Sequence, residues 1–451
     1  MGRSVLVVLW ILVFTRPCKP KNVGWIWHVT DFHWDFTYDD RRLSCREYQA
    51  DSGPFGDFWC DSPWRLCQEA VNIMTLTKPK VDFVLWTGDN VLHGKDEDLN
   101  LTRNNEILTR LTSLLSDAFP DIPIYPTFGN HDYWPTDQFP AHGNTLYNLT
   151  LENWKQWIND TVQENNFLKG AYYTVKTQHD LRIIALNTNL YYTSNKMTKD
   201  MKDPADQFQW LELVLSEAAT KKEKVLVTGH VPPGIYAPGG FSWMYKQFNE
   251  AFNDLMIKHS DVIVGLHFGH SHADLWSLYR NSAGEPVVPV FMAPSVTPWR
   301  YKISASGHNP AVRLIKYDRD DGSPLDISNY YMDLDLSNKN NRPEWQISYN
   351  MTTGYDIPDV TPSSLARVIG RMKTNMVPLQ NYNKWRFANA PANVTVPCDD
   401  KCSQEVLCSL DHLDIDDFNS CLQNVSSGSG IWLDTIIIVC TFILYFFKIE
   451  S

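Results

Sequence analysis

Five short apolar runs, each closing on Asp, Asn or His, constrain this chain more than any other feature. Trp25-Ile26-Trp27-His28-Val29 leads to Asp31-Phe32-His33, and Phe83-Val84-Leu85-Trp86 leads to Gly88-Asp89-Asn90. Ile124-Tyr125-Pro126 leads to Gly129-Asn130-His131-Asp132, Val225-Leu226-Val227 to Gly229-His230-Val231-Pro232-Pro233, and Val262-Ile263-Val264 to Gly269-His270-Ser271-His272. Short apolar runs bounded by turn residues read as buried strands. Loops at the carboxyl ends of such strands converge on one crevice in open α/β sheets. If the chain is extended there, residues i and i+2 face the same way, so the Asp-x-His and His-x-His pairs each reach one metal. Gly88, Gly129, Gly229 and Gly269 precede the polar residues, where the lack of a Cβ permits a sharp turn. Asp, Asn and His are O and N donors suited to Zn, Fe or Mn and not to a thiolate site. A single pattern of this kind arises by chance, but five in order, each after a strand, do not.

Further strands are expected at 181–186, 287–292 and 311–317, and amphipathic helices at 104–119, 207–219 and 245–259. The rhythm of strands and helices predicts an α/β (α+β) layered domain over residues 22–355. Beyond Tyr355 the pattern changes to helical pieces at 363–373 and 404–422, predicting a small helical, disulfide-linked C-terminal subdomain over 356–425. A hydrophobic content of 43% excludes global disorder, and the net charge of −12 argues against binding to a nucleic-acid polymer.

The two ends bear on the compartment. Residues 1–20 read as a signal peptide, with a basic residue before an apolar run. At the other end Ser426, Ser427 and Gly428 precede a spacer and the apolar stretch 436–447, the pattern of a lipid-anchor (GPI) attachment signal over 426–451. A single membrane span is the rival, although Asp434 leaves the apolar run short of the ~20 residues a bilayer requires. The expected location is the extracellular face of the plasma membrane, with a membrane-spanning or secreted form as alternatives. In an oxidising compartment neighbouring cysteines are expected to pair: Cys45 with Cys60, Cys398 with Cys402, and Cys408 with Cys421. Spacing alone does not establish this connectivity, and Cys67 is left over, either buried or competing with Cys60. Asn-x-Ser/Thr sites at Asn100, Asn148, Asn159, Asn350, Asn393 and Asn424 are available for glycosylation.

The ordered set Asp31-x-His33, Gly88-Asp89, Gly129-Asn130-His131-Asp132, Gly229-His230 and Gly269-His270-x-His272 resembles the calcineurin-like metallophosphoesterase superfamily, a layered β-sandwich flanked by helices. Asp61-Ser62-Pro63-Trp64, Leu85-Trp86-Thr87-Gly88-Asp89, Asn187-Thr188-Asn189-Leu190-Tyr191-Tyr192, Gln207-Phe208-Gln209-Trp210-Leu211-Glu212 and His230-Val231-Pro232-Pro233-Gly234 narrow the resemblance to the acid sphingomyelinase-like phosphodiesterases. It spans nearly the whole chain, and the apolar tail favours a membrane-anchored member. The resemblance implies a dinuclear zinc centre (a pair of Zn2+ ions per chain). Asp31, His33 and His272 would hold one metal, Asn130, His230 and His270 the other, and Asp89 would bridge them. It implies in-line attack by metal-bound hydroxide, with His131 giving a proton to the leaving oxygen and His93 orienting or neutralising the phosphate. Purple acid phosphatases of the superfamily carry a tyrosine where this chain has Leu92, so an iron–tyrosinate centre is not expected. The other seven histidines (His28, His142, His179, His259, His267, His308 and His412) read as structural or solvated.

The substrate is less legible. No cysteine-rich lipid-extracting region precedes Asp31, unlike acid sphingomyelinase itself, which weakens direct attack on sphingomyelin in a bilayer. Trp34, Tyr133, Trp134 and Trp299 lie beside the motifs and could cage a choline or stack a base. The expected activity is that of a metal-dependent phosphoric diester hydrolase, acting as a monomer on phosphocholine- or nucleotide-containing small molecules or lipid headgroups at the outer leaflet. Modulation of membrane lipids and surface-receptor signalling would follow from that placement. An anchored lipid-binding regulator with secondary catalysis, or a nucleotide phosphomonoesterase, is the alternative.

Overall fold

The computed structural model describes residues 21–38, 45, 52–302 and 305–428. The expected signal peptide with Cys18, and residues 429–451 with Cys440, lie outside them. Two six-stranded sheets face each other. The first runs β14 (Trp345–Asn350), β13 (Pro324–Met332), β12 (Ala311–Asp318), β1 (Val23–Val29), β2 (Phe83–Trp86), β3 (Ile124–Pro126). The second runs β10 (Leu275–Arg280), β11 (Pro286–Met292), β9 (Ile263–Phe268), β6 (Val225–Thr228), β5 (Arg182–Ala185), β4 (Tyr173–Lys176). β1, β2 and β3 are parallel, as are β5, β6, β9 and β11, so their carboxyl ends open on one side of each sheet. These central strands are buried on both faces, which is why they read as unbroken apolar runs.

Within these two sheets, the strands that sequence did not reveal, β4, β10, β13 and β14, all pair antiparallel with a neighbour and sit at or near sheet edges. In β14 only Tyr349 is buried, and its other residues face at least partly outward. Half-solvated edges carry polar residues, so no apolar run marks them.

Helices cover both outer faces. Over the first sheet lie α1 (Trp64–Thr77), α2 (Leu101–Ala118) and α3 (Thr145–Ile158), with α4 (Thr161–Gly170) packed on α3. The Asn100 side chain caps α2 by accepting from the Arg103 backbone N–H, and Ile107, Leu108, Leu111 and Leu115 turn a buried stripe inward. Over the second sheet lie α6 (Lys246–Lys258), with α5 (Gln207–Lys221) beside it, then α9 (Pro362–Met372) and α11 (Asp400–Asp411). The helix expected over 404–422 is two helices. α11 ends at Asp411, and α12 (Ile415–Gly428) begins after a corner where Asp414 accepts from the Asp416 N–H at 2.8 Å. α12 closes with the expected attachment residues Ser426, Ser427 and Gly428. Among the described residues no helix is long and apolar enough to cross a membrane.

Cys45–Cys60, Cys398–Cys402 and Cys408–Cys421 are disulfide-bonded, and Cys67 is a buried thiol. Among the Asn-x-Ser/Thr asparagines, Asn100, Asn148, Asn159, Asn393 and Asn424 are exposed and Asn350 is half-buried.

Candidate metal centre

The loops after β1, β2, β3, β6 and β9 meet at one point, where the two sheets present their carboxyl ends. Asp31, His33 and Asp89 come from the first sheet together with Asn130 and His131, while His230, His270 and His272 come from the second. The β1 and β2 loops run side by side through backbone bonds from Asp31 N to Gly88 O and from His33 N to Asp89 O. The segment Ser295–Thr297 stitches the sheets together, with Val296 N bound to Thr30 O and Ser295 N to His272 O.

Two groups of donor atoms that share Asp89 form there, and His93 makes a third with His33 and His272. Asp31, His33, Asp89 and His272 each place an O or N within 4.8 Å of the others, and Asp89, His230 and His270 do the same. The His33 Nε2 lies 3.4 Å from Asp89 Oδ2 and 3.2 Å from His272 Nε2, and the His272 Nε2 lies 3.5 Å from Asp31 Oδ1. On the other side Asp89 Oδ2 is 3.1 Å from His230 Nε2, and Asn130 Oδ1 is 3.0 Å from that nitrogen and 2.8 Å from His270 Nδ1. Asp89 therefore faces both groups. The seven residues expected as metal ligands are brought together.

Their outer partners point the donor atoms inward. His33 Nδ1 lies 2.7 Å from Val91 O and His230 Nδ1 lies 2.6 Å from Thr87 O, so in its neutral form each ring keeps its proton outside and turns its Nε2 lone pair inside. Asn130 donates its Nδ2 to Asp137 at 2.7 Å, which turns its carbonyl oxygen to the histidines. Asp132 gathers the backbone N–H groups of Gly129 and Asn90, at 2.7 and 2.8 Å, and pins the loops to each other.

This donor set fits divalent cations. His33 Nε2 and His272 Nε2 face each other across 3.2 Å, and the buried His270 Nε2 has no hydrogen-bond partner. Burial works against charge on His33 and His230, but Asp89 outweighs it. His33 is held well above the usual histidine range and His230 is raised to about 9. Burial also opposes ionisation of Asp89, yet His230, His131 and His33 hold its carboxyl well below the usual range. The carboxylates draw positive charge to this point, and metal binding there would release those protons.

The turn geometry departs from the extended chain expected for the paired motifs. Asp31, His33, Asp89, His270 and His272 all have positive φ, from 41° to 69°. The pairs converge through left-handed kinks, not through the pleat of a strand. Of the four glycines, only Gly88 has positive φ (85°). Gly129 is needed for space, because a Cβ there would lie 2.1 Å from the Asp89 backbone nitrogen.

A cleft of about 600 Å3 opens on the donor groups. Tyr192, Phe241 and Trp243 line one part of it, and Trp299, Tyr301 and Phe387 another. Trp243 and Tyr192 stand edge-on to His270 at 4.4 and 4.8 Å between ring centroids. Of the expected pocket residues, Trp299 lines this cleft and Tyr133 and Trp134 do not. Tyr133 packs on Phe139, and the Trp134 indole donates outward to Asp96 O. Trp34 is buried against Trp64 under the Arg110 guanidinium. Sequence proximity to a motif placed these rings, whereas the cleft is walled by distant loops. The hairpin of β7 (Ile235–Tyr236) and β8 (Phe241–Ser242) was not foreseen, although its aromatics directly follow His230-Val231-Pro232-Pro233-Gly234.

His131 and His93 both line the cleft, with ring centroids 4.4 Å apart. The His131 backbone N–H donates to Asp89 Oδ1 at 2.8 Å, and burial lowers its imidazole to about 4 despite Asp89 nearby. His308, read as structural, also reaches the cleft wall, with Nε2 2.9 Å from Thr297 O.

Two facing sheets with Asp, Asn and His donors at their joined carboxyl ends define a metallophosphoesterase. The chain belongs to the calcineurin-like phosphoesterases, which residues 24–274 match, and within them to the acid sphingomyelinase-like phosphodiesterases. Residues 285–427 match the acid sphingomyelin phosphodiesterase C-terminal region. Acid sphingomyelinase-like phosphodiesterase 3b of Homo sapiens is 37% identical over 93% of this chain and 96% of its own length. A cyclic GMP-AMP phosphodiesterase of Bos taurus is 37% identical over 89% of this chain and 91% of its own. Sphingomyelinase phosphodiesterase C of Dictyostelium discoideum is 31% identical over 93% and 98%. Membership makes this chain a metal-dependent phosphodiester hydrolase by class.

Proposed function

We propose that the protein cleaves phosphodiester or pyrophosphate bonds in phosphocholine- or nucleotide-containing molecules, using a pair of zinc ions. Asp31, His33, Asp89 and His272 would hold one ion, and Asp89, Asn130, His230 and His270 the other. When bound, such ions supply Lewis acidity toward phosphate oxygens and an activated water at neutral pH. The observation that carries the substrate reading is the aromatic-walled cleft opening on both donor groups. Flat bases stack on such walls, and quaternary ammonium groups sit against them.

The protein's own residues do the rest. Trp243, Phe241 and Trp299 bind the organic part of the substrate and exclude water from beside the phosphate. His93 orients the phosphate from the cleft edge. His131 gives a proton to the leaving oxygen. Its burial keeps the free ring neutral, and an anionic phosphodiester arriving beside it favours the charged, donating form. We further propose export through residues 1–20 and display, as a lipid-anchored monomer, on the outer face of the plasma membrane, where the substrate headgroups are exposed. The composition of both ends and the sequons support this part.

Zinc content and hydrolysis of bis-p-nitrophenyl phosphate by the purified protein, with and without His131→Ala, test the proposal. About two zinc ions per chain are expected, with activity reduced at least about 100-fold by the substitution. Turnover of p-nitrophenyl phosphate with no attack on the diester would overturn it.

A further inference from the structure

The motif Asp61-Ser62-Pro63-Trp64 has no part in the metal groups, yet it reaches the cleft. Asp61 is fully buried and sits between the disulfide-bonded Cys60 and the start of α1. Its Oδ2 accepts the backbone N–H of His93 at 2.7 Å, and its Oδ1 lies 2.9 Å from His93 Nδ1. Thr297 donates its hydroxyl to Oδ1 at 3.0 Å, which aims the carboxylate from the segment that joins the two sheets. The His93 ring is also clamped on both faces. Trp299 stacks on it at 3.7 Å between centroids, 11° from parallel, and His33 stacks at 4.0 Å and 26°.

We propose that Asp61 is the positioning residue for His93, holding the Nδ1 proton so that the ring is fixed with its Nε2 edge turned to the cleft. A carboxylate at one imidazole nitrogen fixes both tautomer and ring orientation, because only a protonated Nδ1 can bond to it. Two stacked faces and a tethered edge leave the imidazole one orientation, so the ring meets a substrate in the cleft without reorganisation. A buried carboxylate accepting a main-chain N–H, an imidazole N–H and a hydroxyl is a built arrangement, since each of these bonds would otherwise cost desolvation. The proposal rests on the phosphodiesterase reading for its consequence, but the pairing itself can be measured independently.

The test is a double-mutant cycle on the purified full chain, comparing wild type, Asp61→Asn, His93→Gln and the double variant with bis-p-nitrophenyl phosphate. Asp61→Asn is expected to lower kcat/KM about 10- to 100-fold at unchanged zinc content, and to add nothing once His93 is Gln. Independent, additive losses would reduce Asp61 to a structural residue and overturn the proposal. Nitrogen-15 NMR of the histidine side chains supplies a second readout, with His93 assigned by its absence in His93→Gln. A ring protonated at Nδ1 is expected, and one protonated only at Nε2 would overturn the pairing even if wild type hydrolysed no diester at all. If Asp61→Asn does not fold, Thr297→Val replaces it in the cycle, with a loss of about threefold that again vanishes in the His93→Gln background.

Discussion

Left-handed backbone at Asp31, His33, Asp89, His270 and His272 is a cost of about 1–3 kcal/mol per residue, least for Asp, Asn and His. The residue types that ligate metals are thus among those that tolerate the turn, so one choice serves both demands. The neighbouring glycines supply closeness. A Cβ at Gly129 would fall 2.1 Å from both the nitrogen and Oδ1 of Asp89, the carboxylate that faces both donor groups. Gly129→Ala is therefore expected to cost about 1–3 kcal/mol of stability and to lower zinc occupancy, read by urea denaturation and metal analysis. Full occupancy in that variant would show that the Asp89 loop has room to yield. Gly129 was legible as part of a motif, but its reason was not, because the atom it makes way for lies 40 positions earlier in the chain.

Among elements, the parallel central strands and their terminal donors were readable, since burial on both faces writes an unbroken apolar run. The edges and the hairpin wall were not. The β7–β8 hairpin is positioned by the C-terminal helices. Glu405 on α11 accepts the Gly239 N–H at 3.0 Å, a Cβ at Gly240 would lie 3.4 Å from the Phe418 ring on α12, and just beyond the hairpin Lys246 pairs with Asp416 at 2.6 Å. The last segment, expected as a small helical subdomain, thereby shapes the cleft wall of Tyr236, Phe241 and Trp243. Glu405→Gln is expected to raise KM for a nucleotide or choline diester about threefold to tenfold, with kcat and zinc content unchanged. A fall in kcat alone would instead place the effect on the chemistry. Such coupling joins residues more than 160 positions apart, and no local pattern encodes it.

At the scale of the whole molecule, the apolar core between the two sheets encloses a polar network. Arg313 on β12 is buried and binds Asp274, Asn329 and Met292 O, while Tyr349 donates to Asp274 at 2.7 Å. His28 on β1 and His267 on β9 face each other there at 5.8 Å between centroids. Burial first, and then the nearby Arg313 charge, lower His267 to about 3, and burial holds His28 well below the usual range. Because the unfolded chain binds these protons more readily, their contribution to stability is intact above about pH 6.5 and is lost as pH falls toward 3. Urea midpoints measured across that window should decline less steeply in His267→Gln than in wild type. Equal slopes would mean that other groups govern acid unfolding.

What the sequence determined by itself is the inventory of chemistry and its order along the chain: which residues end each buried strand and which donors they offer. Those are short-range properties, written by strand period, turn residues and side-chain type. The tertiary structure alone decided that the loop aromatics Tyr192, Phe241 and Trp243 wall the cleft, and that Asp61 lies against His93. Each of these depends on where the loops of two separate sheets come to rest against one another. That docking is set by the packing of the whole core, and nothing in a local stretch of sequence records it.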